Sequence, residues 1–244
     1  MAAMHEELNR IVAMLSDVSK EKVGRKVVTL GKLNNEEVAV VFSGWGKVAA
    51  ATTSTMLIER YSISQLIFTG VAGGIQPYLN IGDIVIGTSF VQHDMDCAGV
   101  LGIKRFEIPL LSLTEIPSSE ALQEQAEQAS IEYLKTDLAS DVEKSELESL
   151  NISKPKIYKG LIASGDQFIS SEEKLNELRQ ALPDLLAVEM EGAAVAQVAY
   201  EYDVPFIVIR VISDKANDDS LIDFPHFIEK VASHFTAGII KRLV

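Results

Sequence analysis

Two carboxylates stand at the end of an apolar run in the segment Val-Glu-Met-Glu-Gly, residues 188–192. They are Glu189 and Glu191, and they follow the run Leu185–Val188. Because burying an ionised carboxylate without partners is costly, each must be either exposed or paired. A paired carboxylate is a good acceptor for the two adjacent hydroxyls of a ribose ring. An exposed one would only favour the start of a helix through its dipole, and both interpretations stay open.

A basic and an acidic residue mark the most apolar strand of the sequence. Arg210 lies inside the run Pro205–Ile212, where a guanidinium needs an acidic partner. Ser213 and Asp214 follow where that run ends. Asp214 is therefore either a catalytic acid or a member of an ion pair with Arg210.

Glycines and an aromatic ring follow two further apolar runs. Residues 70–74, Gly-Val-Ala-Gly-Gly, come after Gln65–Thr69, and glycines there let the backbone approach a ligand and offer N–H donors. The same cluster also fits a plain tight turn, and it matches neither a P-loop nor a dinucleotide-binding pattern. Phe168 follows Ile157–Ala163 through Ser-Gly-Asp-Gln, so its ring either stacks on a base or packs in the core.

Other reactive side chains give weaker signals. Glu7 lies in the first turn of an amphipathic helix, where an acidic residue usually serves only the helix dipole. His93, Asp94 and Asp96 resemble metal ligands, but the other histidines are scattered and no second cluster follows. Cys97 has no obvious neighbouring base that would make it a nucleophile. We therefore expect neither a metal site nor a cofactor.

Alternating strands and helices must position these residues. Nearly continuous apolar strands indicate a sheet covered on both faces, as in α/β folds, where ligands gather beyond the carboxyl ends of the strands. Ser170 and Glu173 form a capping-box pattern that opens a helix ending at Pro183. The predicted strands are Lys26–Leu30 and Glu37–Phe42 as a hairpin, then Gln65–Thr69, Asp83–Gly87, Ile157–Ala163, Leu185–Val188 and Pro205–Ile212. The other predicted helices are Lys47–Tyr61, Gly192–Tyr200 and Phe224–Leu243.

Length and charge restrict the class of protein. A chain of 244 residues, 47% of them hydrophobic, is expected to form one α/β domain without disulfide bonds. Its net charge of −13 opposes binding to nucleic acid. No apolar stretch suits a membrane span or a signal peptide, and the single cysteine, Cys97, fits a reducing cytoplasm. Residues 132–148 hold six acidic residues and two lysines, so we expect an exposed insertion or loop-helix there rather than a functional acidic tail.

Five segments together carry a resemblance that none of them carries alone. In order and spacing, residues 4–7, 70–74, 163–169, 188–192 and 210–214 are similar to those of the 5′-methylthioadenosine/S-adenosylhomocysteine nucleosidases. The resemblance spans nearly the whole chain. It implies the fold of the purine nucleoside and uridine phosphorylases, a three-layer α/β/α sandwich with a mixed, partly closed central sheet. It also implies a cytoplasmic homodimer that hydrolyses the N-glycosidic bond of a 5′-thio-substituted adenosine without a cofactor.

The resemblance implies a role for each matched residue. Asp214 would protonate adenine N7 as the general acid, held in place by Ser213. Glu7 would bind and activate the attacking water, and Glu191 would take the ribose hydroxyls beside Met190. A general acid must hold a proton and a general base must lack one, so Asp214 and Glu7 would keep opposite protonation states.

The remaining matched residues would surround the adenine and the 5′ substituent. Phe168 would stack on adenine, and the Ile169 backbone would bond its edge. Gly73 would line the sugar and water site, and Arg210 would sit near the catalytic carboxylates. The pocket for the 5′ substituent would be shaped by Met4, Trp45, Phe224 and, across a dimer interface, Val100.

Three departures from the family pattern are visible. A short apolar strand normally precedes residues 4–7, and here the chain begins at Met1. The sheet is therefore expected to lose a strand and Glu7 to lose its anchor. Val71 stands where many relatives have serine, and the acidic stretch 132–148 is longer than usual.

Two other functions fit the same fold. A nucleoside phosphorylase would need a cluster of basic groups for phosphate, and only Arg210 stands in a motif position, while Glu7 would repel phosphate. A non-catalytic nucleoside-binding protein would keep the pocket and bind adenine nucleosides without releasing adenine. Among hydrolases, 6-amino-6-deoxyfutalosine is a further substrate that the sequence does not separate from the two thioethers.

Overall fold

The computed structural model describes residues 1–217, 224–225 and 227–244, in which strands and helices alternate. The strands are β1 Ser16–Val23, β2 Lys26–Leu33, β3 Glu36–Val41, β4 Leu66–Gly74, β5 Ile84–Gln92, β6 Ile116–Pro117, β7 Ile157–Ser164, β8 Leu185–Glu189 and β9 Phe206–Asp214. The helices are α1 His5–Ala13, α2 Lys47–Tyr61, α3 Glu120–Thr136, α4 Leu138–Asp141, α5 Lys144–Ser149, α6 Glu172–Ala181, α7 Gly192–Glu201 and α8 Ser233–Leu243, with a π-helical turn Ile228–Ala232 before α8.

Six strands form one mixed sheet in the order β6-β5-β7-β8-β4-β9, and β5 pairs again with β9. This second pairing is antiparallel, between residues 84–86 and 209–211, and it closes five of the strands into a ring. β7 is parallel to both β5 and β8, and β4 is parallel to β9. Gly73 of β4 pairs with Asp214 of β9 and with Val188 of β8, so the ends of these three strands meet.

Helices cover both faces of this sheet, which confirms the predicted three-layer α/β/α sandwich. On one face, α2 and α7 pack against a core that contains Phe68 and Val208. On the other face, α3 and α8 bring Tyr133 and Phe235 into the core with Ile209. All nine residues of β9 are buried, as expected for a strand covered on both sides. No helix in the described part of the chain is long and apolar enough to cross a membrane.

The beginning of the chain joins this sheet to a second, antiparallel sheet, β1-β2-β3. Ala2 pairs in parallel with both Phe42 and Thr69, and the Met1 amino group donates to the carbonyl oxygen of Ile67 at 2.8 Å. The predicted hairpin of β2 and β3 is confirmed. Sequence analysis missed β1, because most of its residues are exposed and show no apolar alternation.

The expectation that Glu7 would lose its anchor is wrong. Ala2 is paired on both sides, and α1 starts three residues later with Met4 at its N-cap. Glu7 is fully buried in the first turn, and its Oε2 accepts the Met4 N–H at 3.2 Å. Pairing at Ala2 therefore fixes the start of the helix that carries Glu7.

Two local predictions differ from the structure. β4 continues through residues 70–74, so the glycine cluster is strand rather than turn. Pairing with β9 along nearly its whole length decides this conformation, and the turn preference of glycine does not. The N-cap of α6 is Ser171, whose side chain accepts the Lys174 N–H, rather than Ser170.

Two longer predictions also need correction. The acidic stretch 132–148 is only partly exposed, since it forms the end of α3, all of α4 and most of α5 and buries Tyr133, Leu138 and Val142. The predicted closing helix Phe224–Leu243 is interrupted by the π-helical turn before α8, and part of it lies outside the described residues.

Candidate active site

A cavity of about 270 Å³ opens where β4, β8 and β9 end. Glu189, Glu191 and Asp214 contribute carboxylates to its wall, and no lysine or arginine among the described residues does so. A larger groove of about 890 Å³ lies between β3 and β4, but it contains none of the predicted site residues. The smaller cavity is lined by Ala3, Met4, Trp45, Val71, Ala72, Gly73, Gln167, Phe168, Ile169, Val188, Glu189, Met190, Glu191, Ser213, Asp214 and Phe224.

Most of the predicted site residues meet in this cavity, and three do not line it. Glu7 and Arg210 are fully buried behind the wall, next to the lining residues Met4 and Glu189. Val100 is 58% exposed and lies outside the cavity. Its predicted place in the pocket of a partner subunit stays a prediction.

Asp214 ends β9 and presents its carboxylate to the cavity although it is almost fully buried. Ser213 Oγ donates to Oδ2 at 2.8 Å, and the Ala216 N–H donates to Oδ1 at 2.8 Å. Gly73 lies directly beside it, since a Cβ there would be 3.1 Å from Asp214 Oδ1 and 2.9 Å from the Cβ of Ala216. Only glycine lets β4 approach the carboxylate this closely.

The acidic partner of Arg210 is Glu189 and not Asp214. Arg210 Nη2 and Nε donate to Glu189 Oε2 at 2.6 and 3.2 Å, and the guanidinium lies 4.1 Å over the ring of Phe68. The carboxylate of Glu189 also accepts the Gly192 N–H at 2.9 Å. This pairing removes the ion-pair interpretation of Asp214 and leaves that carboxylate available for chemistry.

Glu191 follows β8 and is 5% exposed, so the interpretation of a solvated helix start is wrong. Its Oε1 accepts the Gly46 N–H at 2.8 Å. Burial, together with the nearby negative charge of Glu189, raises the pKa of Glu191 to about 7. A buried carboxylate in a cavity wall, with few protein donors, is suited to accept hydroxyl groups from a ligand.

The carboxylate of Glu7 accepts hydrogen bonds from one residue near each end of the chain, Met4 and Thr236. Its Oε1 accepts the Thr236 hydroxyl at 2.8 Å, and Thr236 in turn lies 3.2 Å from the hydroxyl of Thr69. Burial raises the pKa of Glu7 to about 7, against the opposing effects of Thr236 and Arg210. A carboxylate with this pKa is matched to general-base chemistry near neutral pH. Sequence analysis did not find Thr236, which lies 229 residues from Glu7.

Two aromatic rings stand at the opening of the cavity. Phe168 is 44% exposed, so the interpretation of simple core packing is wrong. Its ring meets that of Phe224 edge-on, with ring centroids 5.5 Å apart. Ile169 beside it is buried and belongs to the core under α6. An exposed face next to a buried backbone is the arrangement that a flat, heteroaromatic ligand requires.

Met4 and Trp45 complete an apolar end of the cavity. Trp45 is 63% exposed, and its indole N–H donates to the carbonyl oxygen of Ala3 at 3.1 Å. Sequence analysis also missed Gln167 and Val188, since neither residue type signals a ligand.

Fold and site together define a class of protein. A sequence model described as the phosphorylase superfamily matches residues 1–244. A 5′-methylthioadenosine/S-adenosylhomocysteine nucleosidase of Anoxybacillus flavithermus is 36% identical over 244 residues, covering 100% of this chain and 96% of the relative. That of Bacillus licheniformis is 35% identical over 243 residues, covering 100% and 96%. Within the superfamily, the chain belongs to the family of 5′-methylthioadenosine/S-adenosylhomocysteine nucleosidases.

Two solved structures of nucleosidases support this family assignment. A nucleosidase of Neisseria meningitidis, in complex with methylthio-immucillin-A, superposes with a TM-score of 0.87 at 30% identity, covering 99% of this chain and 95% of that one. The S-adenosylhomocysteine nucleosidase of Streptococcus pyogenes, in complex with 5-methylthiotubericidin, gives a TM-score of 0.84 at 32% identity, covering 99% and 93%.

Proposed function

We propose that this protein is an N-ribosyl hydrolase that cleaves 5′-methylthioadenosine and S-adenosylhomocysteine into adenine and the 5-thio-substituted ribose. One observation carries the proposal: Asp214 and Glu191 line one small, mostly apolar cavity that the ring of Phe168 also lines. The names of the relatives and the nucleoside analogues bound in two of their structures support the same substrate class.

Asp214 supplies the proton to the leaving base. The bond between N9 and C1′ breaks with its electron pair going to adenine, while the proton of Asp214 goes to N7 and the sugar acquires oxocarbenium character. One of the two donors to Asp214 is a hydroxyl that has a second acceptor within reach. Ser213 Oγ, 2.8 Å from Oδ2, also lies 3.4 Å from the carbonyl oxygen of Ala72, so it can donate there when Asp214 holds the proton.

Glu7 takes a proton from the attacking water. The water oxygen bonds to C1′, and its released proton is balanced by the one that Asp214 has given to adenine. Glu7 lies behind Met4, which lines the cavity, and its pKa of about 7 keeps a basic fraction at neutral pH. Each of its oxygens has one protein donor and a remaining lone pair that can accept from water.

Binding residues surround the nucleoside on three sides. Glu191 accepts the ribose hydroxyls beside Met190, while Phe168 stacks on the base and the Ile169 backbone bonds its edge. The apolar end of the cavity takes the 5′ thioether, through Met4, Trp45 and Phe224. Gly73 lets the sugar lie close to Asp214. Arg210 acts indirectly, because it holds Glu189.

The charge of the cavity disfavours a phosphorylase. Phosphate is an anion at neutral pH, and the described lining offers three carboxylates, one of them paired with Arg210, and no lysine or arginine. Among the described residues, the arginine that lies next to the wall is Arg210, and Glu189 already neutralises it. Water is therefore the better nucleophile for this site.

A homodimer in the cytoplasm completes the proposal. Trp45 and Val100 are 63% and 58% exposed, and apolar surface of this kind favours association. The single cysteine, Cys97, is free, as suits a reducing compartment. Light scattering at micromolar concentration should give twice the chain mass, and a monomer mass would contradict the dimer.

An adenine-release assay tests the function directly. The protein is incubated with methylthioadenosine, S-adenosylhomocysteine or 6-amino-6-deoxyfutalosine, with and without phosphate, and free adenine and ribose products are separated. We expect release from both thioethers at a rate that phosphate does not change, with the 5-thio-substituted ribose as the sugar product and none of its 1-phosphate. Phosphate-dependent turnover would establish a phosphorylase, and binding without release would establish a nucleoside-binding protein.

A further inference from the structure

Two successive backbone N–H groups at the start of α2 hold two carboxylates. The Gly46 N–H donates to Glu191 Oε1 at 2.8 Å, and the Lys47 N–H donates to Asp166 Oδ1 at 2.8 Å. Gly46 has a φ of +86°, and a Cβ there would lie only 2.8 Å from Asp166 Oδ1. Asp166 therefore packs directly against the residue that offers its N–H to Glu191.

Asp94, in the segment after β5, secures this arrangement from a third element. Its Oδ1 lies 2.5 Å from Lys47 Nζ, and its Oδ2 accepts the Asp166 N–H at 2.9 Å. Lys47 Nζ also donates to Gln92 Oε1 at 3.1 Å. The side chains of Lys47 and Asp94 are 16% and 22% exposed, so the ion pair lies at the edge of the protein with most of its surface covered. We call Lys47, Asp94 and Asp166 the Asp94 clasp.

We propose that Asp94 is a positioning residue that fixes how Glu191 meets the ribose. By holding Lys47 and Asp166, it presents the Gly46 N–H to one carboxylate oxygen and so sets the orientation of the other. Asp94 itself does not line the cavity. The inference rests on the proposed function, because it takes Glu191 as the ribose acceptor. Asp94 therefore affects recognition of the ribose hydroxyls and not protonation of the base.

The test compares kcat/KM for methylthioadenosine with kcat/KM for its 3′-deoxy analogue. Asp94→Ala should lower this ratio by about three- to tenfold, the worth of one lost hydrogen bond. Lys47→Met, which removes the Nζ bonds to Asp94 and Gln92 and keeps the Lys47 N–H, should lower it in the same direction. Asp96→Ala is the matched control, since Asp96 accepts only the Ala98 N–H of its own turn and should leave the ratio unchanged.

The ratio separates positioning from general damage. If Asp94→Ala and Lys47→Met slow both substrates equally, the clasp has only a structural role and the inference is overturned. Glu191→Gln is measured in parallel to separate the two claims. An unchanged ratio there would remove the ribose role of Glu191 and this inference with it. A lowered ratio in Glu191→Gln with none in Asp94→Ala would overturn the inference and leave the proposed function intact.

Discussion

Arg210 Nη2 and Glu189 Oε2 lie 2.6 Å apart, and their side chains are 0% and 3% exposed. Removing one partner of such a pair leaves an uncompensated buried charge. Arg210→Met should therefore lower the free energy of unfolding by ~3–5 kcal/mol, as followed by urea denaturation. Adding Glu189→Gln removes the stranded charge and should restore part of the loss. If the double variant is no more stable than Arg210→Met, the lost free energy of unfolding does not come from an unpaired charge on Glu189.

Asp214→Asn should reduce turnover by ~10²-fold or more, because an amide cannot protonate the leaving base. The amide keeps the size of the side chain, so the melting temperature and nucleoside binding should change little. Ser213→Ala is the companion variant and should slow turnover less, since it removes only the hydroxyl that holds the acid. Retention of more than about a tenth of the wild-type rate in Asp214→Asn would exclude a general-acid role of this size.

Glu191→Gln should weaken recognition of the ribose and slow turnover. A hydroxyl bonded to a charged acceptor is worth ~1.5–3 kcal/mol, which is about tenfold or more in kcat/KM. The measurement compares methylthioadenosine with its 2′-deoxy and 3′-deoxy analogues in both proteins. Equal discrimination by mutant and wild type would show that Glu191 does not contact the sugar.

Activity should fall steeply as the pH drops below 7. Burial raises the pKa of Glu7 to about 7, and burial with the charge of Glu189 raises the pKa of Glu191 to about 7. Both groups act ionised, and a raised pKa keeps their protons on up to neutral pH, so acid removes the active form. Log kcat/KM for methylthioadenosine should reach a limiting slope of about two per pH unit on the acid side. In Glu191→Gln, which cannot titrate, the slope should fall to about one.

The cavity should favour a methylthio group over a 5′-hydroxyl. An apolar wall gains ~0.8 kcal/mol per buried methylene-sized unit, and an unpartnered buried hydroxyl loses ~1–3 kcal/mol. Methylthioadenosine should therefore exceed adenosine by roughly 10²-fold in kcat/KM. Met4→Ala and Phe224→Ala should each lower the ratio of kcat/KM for methylthioadenosine to kcat/KM for adenosine. Equal efficiency on the two nucleosides in the wild type would mean that the 5′ end of the cavity is polar.

The sequence predicts those parts of the site that follow strands. Asp214, Glu191 and Phe168 each come soon after an apolar run, and in an α/β fold such positions share one edge of the sheet. Arg210 could be recognised as needing an acidic partner because it interrupts the most apolar run. Arg210 meets Glu189 rather than Asp214 because β4 alone separates β8 from β9, and no local pattern encodes that strand order.

The unpredicted parts depend on contacts between distant segments. Thr236 reaches Glu7 only because α8 packs against α1. Asp94 meets Lys47 and Asp166 across 47 and 72 residues of sequence, and as a single polar residue near a histidine it suggests a metal ligand more readily than a clasp. Such pairs become visible only when the elements that carry them are placed in space.

Gly73 lines the cavity and Gly46 follows the lining residue Trp45. An added methyl group would lie 2.9 Å from the Ala216 Cβ at Gly73 and 2.8 Å from Asp166 Oδ1 at Gly46. Side chains larger than glycine are therefore expected to be excluded at both positions, which limits how this site can change in evolution. Libraries that aim to reshape the pocket for bulkier nucleosides can vary Trp45 and Phe224, which line the apolar end of the cavity, while Phe168 is kept to stack on the base. Randomising the two glycines would yield mostly inactive clones. Substrate specificity in this fold is therefore expected to change through residues at the opening of the cavity and not through the two glycines.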